Sequence, residues 1–496
     1  MTVLHEVERT YDVDETTAVP PLVGGLVADV GPSVTTELTT AYLDTETYAL
    51  ARAGVSLRRR LGGDDAGWHL KLAVDTDSRT ELQRPAGRTR RVPAPLARLV
   101  AGLTAGAPLV GVADLRTTRT TRRLLGADGE VLAVVCDDTV VVDLPGGDTH
   151  PGWREIEVEL VDGGPDVLDD VEASLAVAGI VRSTSSSKIR RALGVPDEPA
   201  PPSSGLRRRT AGAHLHAYLL EHRDVLVRAD LGHRVAGESV HDVRVASRRL
   251  RAALTVYRPL LDEDRARHLQ AELRWLGQEL GDLRDVEVAR KSVVAALDAE
   301  PDALATGPAR LLAREHLDDA EATARDRARR ALDSRRHAAL LAGLEQLLVD
   351  PPWTSLARRR AADELGRLCR KPRRRLRRAV RDAGRVLTQA EHEEALHHVR
   401  KSAKRLRYAL EVLLPAEPGV RRVVRRSKGL QTVLGDHLDA RRAGRWFRHL
   451  GHAGTADAAF VLGRVHARTE SDDTRVERDF HRAARRLLTD KRLRRL

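Results

Sequence analysis

The hydrophobic period of this chain changes once, and the change falls at a proline-rich break. Before residue 195 apolar side chains recur mostly at every second position. The runs lie at 3–13, 55–61, 67–74, 79–83, 115–124, 130–136, 139–144 and 153–160. From residue 206 onward the period is 3.6. A period of two alternates side chains across a strand, whereas 3.6 gathers them on one helix face. The chain is therefore expected to be an α+β molecule in two parts. Gly62-Gly63-Asp64-Asp65 and Ala127-Asp128-Gly129 read as hairpin turns between strands, with helices near 93–104 and 165–179. Many antiparallel strands with few helices predict a barrel. The break runs from Gly194 to Gly205 and holds four prolines, which stop helices and favour an extended linker. Expected boundaries are 1–195 for the barrel, 196–205 for the linker and 206–496 for an all-α part.

The helical part repeats one basic phrase. Val240-His241-Asp242-Val243-Arg244-Val245-Ala246-Ser247-Arg248-Arg249-Leu250-Arg251 is matched 156 residues later. The second copy is Leu396-His397-His398-Val399-Arg400-Lys401-Ser402-Ala403-Lys404-Arg405-Leu406-Arg407. His241, Arg244, Arg248 and Arg251 pair with His397, Arg400, Lys404 and Arg407. At i, i+3, i+7 and i+10 these positions fit a sector of roughly 80° on one helix face. Val243, Ala246, Leu250 and Leu254 lie opposite, as do Val399, Ala403, Leu406 and Leu410, and should be core. Leu280-Gly281-Asp282-Leu283-Arg284-Asp285 and Leu434-Gly435-Asp436-His437-Leu438-Asp439 follow their basic helices at similar distance. These pairs predict helical bundles with internal duplication. Separate helices are expected at 355–387, 418–434 and 438–450, among others.

Charge is divided between the parts. Residues 1–200 hold 21 Lys and Arg against 31 Asp and Glu, and the rest hold 63 against 41. A basic half of that size predicts phosphate-rich partners. Two cysteines, Cys136 and Cys369, are too few for a disulfide framework and lack metal-site spacing, as expected in a reducing compartment. The N-terminus lacks the cationic and apolar regions of a signal peptide, and no apolar run is long enough to span a membrane. A cytoplasmic location is expected.

In the first part, strand faces carry charge. Glu155, Glu157 and Glu159 share one face of their strand and Ile156, Val158 and Leu160 the other. Glu6 alternates with Val7 and Glu8 with Arg9. Arg58 shares a face with Arg60, His69 with Lys71, Arg79 with Glu81, and Arg116 with Thr118 and Thr120. Such strands could be plainly amphipathic, acids to solvent. In a closed barrel the same faces line a polar lumen, and acids facing arginines suit a divalent metal with a polyanion.

The ordered set His5-Glu6-Val7-Glu8-Arg9, Tyr42-Leu43-Asp44-Thr45, Leu57-Arg58-Arg59-Arg60, Trp68-His69-Leu70-Lys71-Leu72, Cys136-Asp137-Asp138, Arg154-Glu155-Ile156-Glu157-Val158 and Ser187-Lys188 resembles the CYTH family, the triphosphate tunnel metalloenzymes. The resemblance covers about 1–195. It implies an eight-stranded antiparallel tunnel that hydrolyses or cyclises triphosphate substrates with Mg²⁺ or Mn²⁺. It makes Glu6, Glu8 and Lys71 the expected catalytic groups, and Glu6, Glu8, Asp137, Glu155 and Glu157 the expected metal ligands. Arg58, Arg60, Lys71, Arg116, Arg122 and Lys188 are the expected phosphate ligands. Two cations of the family pattern are missing on this reading, with Thr10 and Thr118 in their places.

The basic ladders, the two Leu-Gly-Asp segments and Leu430-Gln431 resemble the CHAD family over about 206–496. This implies an all-α polyphosphate-binding module. His241, Arg244, Arg248, Arg251, His397, Arg400, Lys404 and Arg407 become the expected polyphosphate ligands, the histidines as hydrogen-bond donors whose charge rises near or below their reference pKa of about 6.5. Neither histidine has a second His or acid at i+4, so a metal role is disfavoured. Nucleic acid is the rival polyanion. Aromatics are 3% of the chain, which leaves few stacking platforms for bases. The expected function is a metal-dependent triphosphatase that binds inorganic polyphosphate or tripolyphosphate, with association to polyphosphate granules. The alternative is a non-catalytic polyphosphate-binding scaffold.

Overall fold

The computed structural model describes residues 2–87, 91–146, 149–185, 187–196, 203–301, 304, 306–385, 388–470 and 473–496. It has two compact units, Met1–Ala200 with Arg234–Gly237, and Pro201–His233 with Glu238–Leu496. Residues 197–202 of the expected linker lie outside the described residues.

The first unit contains β1 (Thr2–Val13), β2 (Asp29–Val30), β3 (Val34–Asp44), β4 (Val55–Leu61), β5 (Gly67–Ala73), β6 (Ser78–Pro85), β7 (Val110–Leu125), β8 (Val131–Asp143), β9 (Thr149–Leu160) and β10 (Val181–Arg182). Its helices are α1 (Ala49–Arg52), α2 (Ala94–Thr104), α3 (Pro165–Val177) and α4 (Lys188–Ala192). Eight strands run antiparallel in the order β1-β6-β5-β4-β3-β7-β8-β9, and β9 pairs back to β1 with Thr10 opposite Glu157. Closure removes both sheet edges and separates an inner from an outer face. Outside, Tyr11, Val13, Val135, Ile156 and Val158 pack on Val167, Leu168, Val171 and Leu175 of α3. Inside, Tyr42, Leu115, Val140 and Trp153 pack with Ile189 and Ala192 of α4. The tight β4–β5 turn needs glycine at Gly62. Its φ is 85°, and a Cβ there would meet the Glu37 carbonyl at 2.5 Å.

Two strand expectations change. β3 is absent from the expected set because Thr35, Thr36, Thr39 and Thr40 put similar side chains on both faces and erase the alternation. The runs at 130–136 and 139–144 are one strand, β8, which passes unbroken through Asp137 and Asp138.

The second unit is all helical. It holds α5 (Ala211–Ala236), α6 (His241–Val256), α7 (Glu263–Glu279), α8 (Gly281–Asp298), α9 (Gly307–Leu332), α10 (Arg335–Val349), α11 (Ala361–Ala383), α12 (Gln389–Leu413), α13 (Arg421–Ala453), α14 (Ala456–Glu470), α15 (Asp473–Leu488) and α16 (Lys491–Arg495). The eight expected core residues of the two ladders are all buried. α6 packs against α12. Tyr257, just past α6, is fully buried and donates to the Ala409 carbonyl at 2.6 Å. The segments expected at 418–434 and 438–450 form one 33-residue helix, α13, which passes through Gly435. Among the described residues no helix is long and apolar enough to cross a membrane.

α1 is short and depends on Asp44, whose side chain is buried. Its carboxylate accepts from the backbone N–H of Thr45 (2.6 Å), Leu50 (2.8 Å) and Ala51 (2.9 Å). Removing it strands three donors. Asp44→Ala is expected to destabilise the barrel by about 2–3 kcal/mol, measured as a lower urea midpoint followed by a probe of this unit.

Candidate functional site

The inner face of the barrel carries its charge. Alternation along β1 points Glu6, Glu8 and Thr10 inward while Val7, Tyr11 and Val13 join the outer core. β4 supplies Arg58 and Arg60, β5 His69 and Lys71, β6 Arg79 and Glu81, and β9 Glu155 and Glu157. All six of the β4, β6 and β9 residues except Glu157, and His69, are nearly inaccessible. The Lys71 ammonium lies 2.9 Å from Glu6 and 2.8 Å from Glu8. Arg58 stands 3.6 Å from Glu81, which also holds His69. Arg60 turns to Asp65 at 2.5 Å. Lys188, at the start of α4, sits among Asp138 (3.1 Å), Glu157 (2.6 Å) and Glu155. Glu8, Thr10, Tyr42, Arg58, Lys71, Arg79, Glu155, Glu157 and Lys188 line one cavity of about 50 Å³, room for a few waters.

Three expected lumen residues are elsewhere. Asp137 faces out and pairs with Arg154 at 2.8 Å, so its neighbour Asp138, fully buried, is the inward acid. Arg116 faces out, 61% exposed, toward Asp143. Arg122 shares that outer face, on the same alternation as Thr118, which donates to Glu37. The inward cation of β7 is Arg119, directly opposite Asp138, which it binds in a fork at 2.8 and 2.6 Å. It also reaches Glu157 at 2.8 Å. Thr118 therefore replaces no lumen cation, whereas Thr10 does line the cavity. Reading β7 one residue out of step hid Arg119, although its Arg-x-x-Arg spacing with 116 and 122 offered three candidates. Arg79, Glu81, His69 and Tyr42 complete the lining beyond the expected site set.

Burial and charged neighbours shift several of the lumen groups. Burial, with a hydrogen bond to Glu81, raises the Glu6 carboxyl to about 8. Burial also raises Glu155, against the pull of Lys188. Burial would raise Glu157 too, but Lys188, Arg119 and Lys71 hold it well below the carboxylate range. Burial works against the charge of Lys71 and Lys188, yet their acidic neighbours keep both above the ordinary lysine range. Burial pushes the Cys136 thiol, beside Arg119, up to about 11.

Asp138, Glu155 and Glu157 each place a carboxylate oxygen within 4.8 Å of the other two. Three hard oxygen donors converging on one point suit Mg²⁺ or Mn²⁺. The donor set thus fits a divalent ion, with Asp138 in the role expected of Asp137. Glu6 and Glu8 instead gather at Lys71.

In the helical unit, α6 and α12 turn their ladders toward one cleft of about 490 Å³. His241, Arg244, Arg248 and Arg251 line it, as do His397, Arg400 and Lys404. Arg407 does not. It pairs with Glu411 at 3.5 Å and lies over Tyr408, while Arg405 faces the cleft. Arg284, Lys401 and Arg442 add charge that the ladder pattern did not single out. The Leu-Gly-Asp segments explain themselves here. A Cβ on Gly281 would approach the Arg244 guanidinium at 3.3 Å, and one on Gly435 would reach that of Arg400 at 2.9 Å. Each glycine lets an arginine lie flat across its helix. Asp285 and Asp439 stand at the rim, 3.3 Å from Arg442 and 4.0 Å from Arg400.

The cleft cations have few acids to offset them. Among the described residues the Nε groups of Arg244, Arg248 and Arg400 are buried without a hydrogen-bond partner. Burial, then Arg248 and Arg400, lowers the Lys404 ammonium to about 7. Burial, then Lys401 and Arg442, lowers His397 to about 4, and burial with Arg284 lowers His241. Both histidines are thus held below the ordinary imidazole range in the free protein.

Sequence comparison agrees with this two-part architecture. A CYTH domain model matches residues 5–193 and a CHAD domain model residues 217–448. An uncharacterized protein of Mycobacterium tuberculosis, present in two strains, is 35% identical over 461 residues, covering 88% of this chain and 86% of its own. The chain belongs to the family in which a CYTH domain is followed by a CHAD domain. Among solved structures, PptA from Streptomyces chartreusis is 22% identical, with a TM-score of 0.47. That match covers 55% of this chain and 99% of PptA. The CHAD domain of the plant Ricinus communis is also 22% identical, with a TM-score of 0.44, over 57% and 96% of the two chains.

A lysine lowered to about 7 is half unprotonated at neutral pH and nucleophilic. Lys404 is expected to be acetylated at pH 7.5 at least tenfold faster than exposed lysines such as Lys491, by timed labelling and peptide mass analysis.

Proposed function

We propose that the barrel is a divalent-metal-dependent triphosphatase acting on inorganic triphosphate, and that the helical cleft holds inorganic polyphosphate. The observation that carries this reading is the convergence of Asp138, Glu155 and Glu157 in a closed lumen that also holds Arg58, Lys71, Arg79 and Arg119. Triphosphatases occur in the CYTH family. Asp138, Glu155 and Glu157 would hold a divalent ion, which would supply positive charge to offset that of the phosphates. Arg58, Lys71, Arg79 and Arg119 grip the remaining oxygens as they leave their present acidic partners. Glu8, across the lumen, orients a water for in-line attack on the terminal phosphorus and receives its proton as the P–O bond to the leaving diphosphate breaks, while Glu6, raised to about 8, holds that water by a hydrogen bond. The cleft, on the same chain, raises the local concentration of phosphate chains and would bring the protein to polyphosphate granules.

A second reading keeps the binding and drops the catalysis. It is favoured by Thr10, which lines the lumen where the family pattern has a lysine. Phosphate release decides between them. With Mg²⁺ or Mn²⁺ the protein is expected to hydrolyse tripolyphosphate. The double variant Glu155→Gln, Glu157→Gln should lose more than 100-fold in kcat, and Arg119→Ala at least tenfold in kcat/KM. Arg116→Ala, on the outer wall, should change neither. No release with any divalent ion leaves the binding reading.

For the cleft, an anion favours the protonated forms of Lys404, His241 and His397, all lowered in the free protein. Binding therefore takes up protons, and affinity should fall as pH rises from 6 to 9. Titration calorimetry in buffers of different ionisation enthalpy reads the uptake. Long-chain polyphosphate should also displace DNA at matched phosphate concentration, and DNA should not displace polyphosphate; the reverse order would assign the cleft to nucleic acid.

A further inference from the structure

The basic cleft does not end at its arginines. A second pocket of about 310 Å³ lies between α8 and α13. It shares Asp285, Val288, Asp439 and Arg442 with the cleft, so the two spaces adjoin across these side chains. Their chemistry differs. Beyond the Arg442–Asp285 pair the wall turns apolar, with Ala289 and Ala443 behind it and Trp446 and His449 beside it. The two rings stand edge to face, 6.5 Å apart at 83°. Trp446 is half-buried against the core of α8, α9, α13 and α14, which fixes its plane, and His449 is exposed.

A bare phosphate chain gains nothing from an apolar slot beside an indole. We propose that the cleft and the adjoining slot together bind nucleoside triphosphates, with the phosphates on the two ladders and the nucleoside in the slot against Trp446. This rests on the reading of the cleft as a phosphate site. The slot lies at the small end of pockets that hold organic ligands, which suits one nucleoside rather than a stacked strand. Arg445 and Asp439 at its rim offer a donor and an acceptor to the base edge or the ribose. Stacking a base on one aromatic side chain is worth about tenfold in affinity.

The test uses the full-length protein in EDTA, which silences metal-dependent hydrolysis. ATP and tripolyphosphate compete with labelled long-chain polyphosphate, and cleft binding is the part that Arg248→Ala with Lys404→Ala removes. ATP should compete about tenfold better than tripolyphosphate and should quench tryptophan emission, a signal absent from Trp446→Phe. Trp446→Ala should erase the preference for ATP and leave tripolyphosphate unchanged, which also shows the variant is folded. Trp446→Phe should keep most of the preference. The proposal is overturned if ATP competes no better than tripolyphosphate in the unaltered protein, or if Trp446→Ala weakens both alike. If Arg248→Ala with Lys404→Ala leaves polyphosphate binding intact, the phosphate reading of the cleft falls, and this inference with it.

Discussion

The barrel stands on the mutual neutralisation of charges that its lumen buries. Taking a carboxylate or an ammonium out of water costs several kcal/mol unless a partner and hydrogen bonds replace the solvent. Here Lys188 among Asp138, Glu155 and Glu157, Arg119 against Asp138, and Lys71 between Glu6 and Glu8 supply those partners. Strand closure puts these groups on one inner surface, and the apolar part of the outer surface, covered by α3, keeps that closure stable. The same pairs leave only about 50 Å³ inside. On the triphosphatase proposal, phosphate oxygens would compete with these acids for the cations.

The helical cleft solves the opposite problem. Its cations have few acids beside them, and the protonation of Lys404, His397 and Arg400 is pushed down rather than held up. The core beneath α6 and α12 absorbs this cost, since every apolar position of both ladders is inaccessible. A lumen of paired charges selects ligands that match both signs. A cleft whose cations outnumber its acids would accept many anions on the binding proposal, and shape would then have to provide the discrimination.

The sequence carried the helical part well because its signals are redundant. A 3.6 period, a duplicated ladder and two Leu-Gly-Asp segments all located the same face, and the structure brings seven of the eight ladder residues to one cleft. Arg407 was lost because rotamer choice, set by Glu411 and Tyr408, is not a matter of spacing. The barrel was less legible. Its inner face is polar, so strand polarity does not say which side is in. Glu155, Glu157, Arg58 and Lys71 were recoverable because their strands have a clear aliphatic side. β7 has threonines and arginines on both sides, and Arg116 and Arg122 were chosen where Arg119 points inward. β3 was missed for the same reason.

Asp137 and Asp138 are chemically identical neighbours with unrelated duties. One tethers Arg154, which in turn clasps the carbonyls of Asp14, Glu15 and Thr17 on the exterior. The other belongs to the enclosed charge network. A single-residue slip of β8 would swap them, exposing the acid meant for the interior and stranding the external clasp. The tandem pair thus acts as a registration mark: it makes any misthreaded barrel electrically wrong on both surfaces at once.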